Sequence, residues 1–203
     1  MLKVSFYKNK FEWKKRFNFL HGIDKIFTRI TGYFWSVRII MHIKLKNKLI
    51  YFYNYKIKCS IGKNGLSSKK KEGDLKTPKG KYKFNFLLYR KDRIKKIQCK
   101  LKKITIKQNM GWCDDPRSIY YNKLIKFPFK KSAEKLFLKK NVYDLILVIN
   151  FNTKPVVKNK GSAIFLHLAD KKFKPTKGCI GIKKKSFIKI LPLINKKTKI
   201  IIY

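Results

Sequence analysis

The chain has 203 residues, 44% apolar and 15% aromatic, enough for one domain with a sizeable core and incompatible with disorder throughout. Its 53 basic residues against 10 acidic ones give a formal net charge of +43, which attracts nucleic acid, anionic lipid or acidic polymers. Only six of the basic residues are arginine, the 47 lysines are spread along the whole chain, and no zinc-finger spacing, glycine-rich phosphate loop or RNP-like string occurs. Biased composition with solvated surface lysines therefore accounts for the charge, and no specific nucleic-acid partner is expected.

Residues 1–36 read as a basic N-terminal extension of unknown role. They are interrupted by charge every few positions and contain no apolar run with a small-residue cleavage site, so no standard signal peptide is visible. They suit either a membrane-surface contact or sequence upstream of a start at Met41. The most apolar early stretch, YFWSVRIIMHI at 33–43, is broken by Arg38 and falls short of the roughly 20 residues that span a bilayer, so no transmembrane segment is expected.

From residue 37 to 203 the pattern is short apolar and aromatic runs between turn residues, which predicts one domain, mainly β with a few short helices. VRIIMHIKLK and LIYFYNYKIKCSIG flank Lys46-Asn47-Lys48 as a hairpin. KYKFNFLLY, 81–89, alternates with period two and should set Tyr82, Phe84 and Phe86 on one face. KKITIK, 102–107, is a weak strand; 108–122 is too rich in turn residues for a regular element; Ser132 caps a short helix in SAEKLFLKKN. YDLILVINF, 143–151, is a continuous apolar run suited to a central strand. AIFLHLA and CIGI are strands, KKKSFIKILPLI holds a helical turn or two stopped by Pro192, and TKIIIY is the last strand.

The four cysteines, Cys59, Cys99, Cys113 and Cys179, have neither C-x-x-C nor zinc-ligand spacing, so no structural metal is expected. Candidate chemistry lies in FLHLADKKFKPTKGCIGI, 165–182. If His167 ends one strand and Cys179 begins the next, the loop between them brings thiol and imidazole within reach for nucleophilic catalysis. Gly178 leaves room for a substrate carbonyl, and backbone N–H groups at Gly178 and Cys179 can hold its oxyanion. The same residues also read as a core histidine and a packed thiol.

His167 followed by Thr176-Lys177-Gly178-Cys179-Ile180 resembles the catalytic signature of YkuD-type L,D-transpeptidases, a histidine and then Ser/Thr-His-Gly-Cys and an aliphatic residue. Glu72-Gly73-Asp74-Leu75-Lys76-Thr77-Pro78-Lys79-Gly80 resembles the E-G-D-x-x-T-P-x-G segment of the same family. Cys59-Ser60-Ile61-Gly62, Gly111 to Pro116 and Gly161 to His167 are similar to one compact branch, so the resemblance covers about 40–203. Lys177 departs from a second histidine in many members, and Gly181 from arginine or asparagine.

The resemblance implies a β-sandwich-like catalytic domain that cleaves the L-centre-to-D-centre amide of a peptidoglycan stem peptide. It passes the acyl group from a cysteine thioester to an amine without metal or cofactor, in the periplasm or cell envelope. Carried onto this chain, Cys179 is the nucleophile, His167 the base, and Gly178, Thr176 and Lys177 the oxyanion or substrate-binding residues. Lys177 is expected to add positive potential near the thiolate, and Asp114, Asp115 or a backbone carbonyl to orient His167. Water as acceptor makes the same site a carboxypeptidase; the competing class is a basic β module that binds an anionic polymer without turnover.

Overall fold

The computed structural model describes residues 41–68 and 70–203; the readings of residues 1–36 lie outside them. Among the described residues fourteen strands follow one another: β1 Ile43–Lys46, β2 Leu49–Phe52, β3 Tyr55–Ser60, β4 Leu66–Ser67, β5 Thr77–Pro78, β6 Gly80–Tyr89, β7 Lys103–Thr105, β8 Met110–Cys113, β9 Leu124–Lys126, β10 Ala133–Lys135, β11 Leu145–Ile149, β12 Phe165–Leu168, β13 Ile180–Ile182 and β14 Lys199–Ile202, with helix α1, Lys184–Ile190, before the last. The chain is mainly β, as its alternating pattern predicts.

Eight strands close on themselves in the order β11-β12-β13-β3-β2-β1-β14-β6, with β6 returning to β11 and β7 added outside β6. Two strands bend to make this a sandwich. Residues 55–58 of β3 pair with β2 while Cys59 and Ser60 pair with β13. Residues 80–83 of β6 pair with β14, and its second half pairs with β11. The main core lies between the two layers, with Ile43, Leu45, Ile50 and Phe52 from one and Leu147, Leu166, Ile180 and Ile182 from the other, sealed by Phe187 and Ile190 of α1.

A second core covers the outer face of β11 and β12, where Ile146, Val148 and Phe165 meet Met110 and Trp112 of a small sheet ordered β10-β8-β9. Strand β11 is therefore buried on both faces, which is why it reads as an unbroken apolar run. Leu147 is fully buried in the main core, so Leu147→Ala should cost about 2–5 kcal/mol of unfolding free energy in a urea titration.

The β1–β2 hairpin forms on Asn47 and Lys48, both at positive φ of 51° and 57°, the backbone of a two-residue turn whose twist matches its strands. Four local expectations give way to the pairing the strands make. LIYFYNYKIKCSIG is two strands, because Phe52 pairs with Tyr55 across a tight turn at Tyr53 and Asn54. A register shift in β6, between the pairs Leu87–Leu147 and Phe84–Ile149, turns Phe86 to the outer core while Phe84 and Tyr82 stay with the inner one. Within 108–122, Met110–Cys113 forms the central strand of the small sheet. Residues 133–135 are a strand rather than a helix, since they pair along β8 with Glu134 opposite Trp112; a helix so short has little stability of its own against such pairing.

Helix α1 buries Phe187 and Ile190 and passes into a 3-10 turn, Leu191–Leu193, at whose start Pro192 sits. Having no N–H, Pro192 stops the α-helix there, as expected. Among the described residues no helix is long and apolar enough to cross a membrane.

Candidate active site

Strands β12 and β13 run parallel, with Leu166 beside Ile180, His167 beside Gly181 and Leu168 beside Ile182. Side chains alternate across a strand, so Leu166, Leu168, Ile180 and Ile182 enter the main core, while His167 and Cys179 share the outer face. The twelve-residue spacing is closed by the loop between these two strands.

The Cys179 thiol donates to the Ala163 carbonyl at 3.0 Å and accepts from the Phe165 N–H at 3.4 Å. His167 Nδ1 lies 2.9 Å from the Leu168 carbonyl. A carbonyl only accepts, so the Nδ1 of this bond carries the proton. The edge of Tyr143 meets the imidazole at 5.3 Å between centroids and 85° between planes, and its hydroxyl donates to Glu134 Oε1 at 2.7 Å. Trp112 packs edge-on against Phe165 at 5.2 Å and is 3% exposed, a core residue that covers this face.

Burial pushes the Cys179 thiol well above an ordinary thiol and the Glu134 carboxylate pushes the same way, against the Phe165 N–H and the charge of Lys70. Burial also lowers the His167 pKa, opposed by the carbonyls of Leu168 and Val142. Burial thus favours the neutral form of both groups. Glu134 is itself raised by burial and by Asp114, while its bond from Tyr143 and the charge of Lys177 lower it.

The glycine and threonine positions of the two motifs are explained by contacts. Gly178 has φ +139°, and a Cβ there would lie 2.9 Å from the Lys76 carbonyl, so only glycine fits. Its carbonyl accepts from Thr77 Oγ1 at 2.8 Å, and Thr77 Oγ1 in turn accepts from the Gly62 N–H at 2.8 Å. Thr77 is fully buried, so one hydroxyl ties the Cys59-to-Gly62 segment and the Glu72-to-Gly80 segment to the turn that carries Cys179. Thr77→Val keeps the shape and orphans both backbone groups; it should lower stability by about 2 kcal/mol in urea denaturation.

Thr176 shapes the same turn. Its Oγ1 donates to the Cys179 carbonyl at 2.6 Å and accepts from the Gly178 N–H at 3.1 Å. Asp74 accepts from the N–H groups of Lys71 and Lys76 and pairs with Lys70, while Glu72 accepts from the Tyr121 hydroxyl. The acidic residues of the second motif thus build the loop beside the site.

Lys177 is exposed, and its charge favours the ionised form of Glu134; the charge of Lys70 is the one that opposes the rise of the Cys179 pKa. Asp115 holds Arg117 and a backbone carbonyl, that of Leu168, holds His167. At Gly181 a Cβ would lie 2.5 Å from Ser60 Oγ and 3.1 Å from the Ala169 Cα, so the departure from a long side chain here has a steric cause. Cys59, Cys99 and Cys113 are free thiols like Cys179, with Cys59 pushed up to about 12 by burial.

Tyr143, Glu134 and Lys70 were not legible as site residues. The one signal available was scarcity, since Glu134 is among only 10 acidic residues in the chain.

Fold and site together define a closed β-sandwich with a thiol and an imidazole on one face of two adjacent parallel strands. The model of the L,D-transpeptidase catalytic domain family, YkuD, matches residues 38–202, and the chain belongs to that family. Among curated proteins there is no match.

Proposed function

We propose that this protein is a peptidoglycan L,D-transpeptidase in which Cys179 is the nucleophile and His167 the proton carrier, with residues 37–203 as the catalytic domain. The observation that carries the reading is the shared face of His167 and Cys179, with the imidazole held through Nδ1 by the Leu168 carbonyl. A neutral pair costs less to bury than an ion pair, so the thiol proton moves only as the substrate carbonyl arrives.

Sγ then leaves the Ala163 carbonyl and attacks the amide carbon between the L-centre and the D-centre of a stem peptide, and its proton passes to Nε2. Backbone N–H groups at Gly178 and Cys179 meet the oxyanion, the Gly178 N–H exchanging Thr176 Oγ1 for it. Nε2 returns the proton to the departing amine, which leaves a thioester on Cys179 and frees the terminal D-amino acid. An acceptor amine attacks the thioester, gives its proton to Nε2, and the thiol leaves reprotonated. Thr176 holds the turn through these steps. Lys177 offsets the Glu134 charge that otherwise disfavours a thiolate. The substrate sets the location in the periplasm or cell envelope.

The test is incubation with disaccharide tetrapeptides and a free D-amino acid, with products separated by chromatography and weighed. Exchange of the terminal residue or cross-linked dimers is the expected result. Tripeptide alone would assign water as the acceptor, and unchanged tetrapeptide would remove the reading.

A further inference from the structure

Asn122 is 3% exposed and uses all four of its side-chain hydrogen-bonding capacities. Its Oδ1 accepts from Trp112 Nε1 at 2.9 Å and from the Ala163 N–H at 3.0 Å. Its Nδ2 donates to the carbonyls of Phe151 and Asn152 at 3.1 and 2.7 Å. One amide therefore joins β8, the turn after β11 and the residue two before β12. Ala163, the residue it reaches, has φ +50°, a left-handed conformation that disfavours a residue with a Cβ. The carbonyl of that strained residue is the one that holds the Cys179 thiol.

We propose that Asn122 is a positioning residue for Cys179: by fixing Ala163 in its left-handed conformation it aims the carbonyl that holds Sγ on the outer face of the sandwich. The catalytic meaning rests on Cys179 being the nucleophile, but the structural claim does not. If the thiol is held elsewhere, it starts its attack from a different point, and the turnover number falls more than the Michaelis constant rises.

The chain has three alanines, Ala133, Ala163 and Ala169, so selective 15N-alanine labelling gives three amide signals. Hydrogen exchange at Ala163 is read beside the infrared S–H stretch of Cys179, isolated as the difference between the full chain and its Cys179→Ala variant. In the unsubstituted protein the Ala163 amide should be protected and the S–H band should sit at the low frequency of a bonded thiol. Asn122→Gly removes the amide and tolerates the native φ of 57° at that position. It should speed Ala163 exchange at least about tenfold and move the S–H band toward a free thiol.

Asn152→Gly, which loosens the same loop through Asn152's own bonds to Val157 and Gly161, should leave the Ala163 signal and the band where they were. A folded Asn122→Gly with both signals unmoved would overturn the proposal. So would an Ala163 amide that exchanges freely in the unsubstituted protein, a result available even where the variant does not fold. Loss of turnover in Cys179→Ala is read separately, so failure of the nucleophile assignment cannot be mistaken for failure of the positioning role.

Discussion

Cys179→Ala should abolish acyl transfer, by at least about 10³-fold in the rate of tetrapeptide consumption, while the protein stays folded. The sulfur contributes one weak donor bond and one weak acceptor bond within an apolar cluster, and alanine occupies its place without strain. The stability cost is therefore about 1 kcal/mol, read as a small shift of the urea midpoint. A variant that keeps both its fold and its rate would mean that another group forms the thioester. A variant that fails to fold would mean that Cys179 is needed for packing.

His167→Asn should lower the same rate about 10²- to 10⁴-fold, the range of a lost general base. Because burial depresses the His167 pKa, the acidic limb of the rate profile should lie below 6.5, the ordinary value for histidine. Stability follows the same sign. Above pH 6.5 the group is neutral in both folded and unfolded chains. As pH falls below that value the unfolded chain takes up the proton first, so stability is lost progressively down to the folded pKa. In His167→Asn this part of the pH dependence of the urea midpoint should vanish. An acidic limb at or above 6.5 in the unsubstituted protein would contradict a buried, neutral base.

The parts of this molecule that follow from local rules were legible in the sequence. Period-two alternation marks β6, and the double-sided burial of Leu145–Ile149 makes an apolar run. That His167 and Cys179 come to one face was legible because two adjacent strands and one loop connect them. What was not legible depends on residues distant in sequence. Phe86 changes face because β6 serves two layers and slips register between them. Glu134 lies in a strand because β8 offers it an edge. Lys177 is two residues from Cys179, yet its charge acts on Glu134, whereas the field of Lys70, far earlier in the chain, reaches the thiol. Asn122 gives no local sign of its role: its four bonds reach three separate segments, and only their convergence makes the amide part of the site.

The central claim is that Cys179 carries the acyl group. Intact protein is mixed with a tetrapeptide donor, or with a β-lactam of the carbapenem class, which the family resemblance implies as a thioester-forming trap. It is quenched in acid, digested and read by peptide-resolved mass spectrometry. The account predicts one acyl adduct, on the peptide containing Cys179, absent in Cys179→Ala and slow to form in His167→Asn. An adduct on Cys59, Cys99 or Cys113, or one that persists in Cys179→Ala, would contradict it.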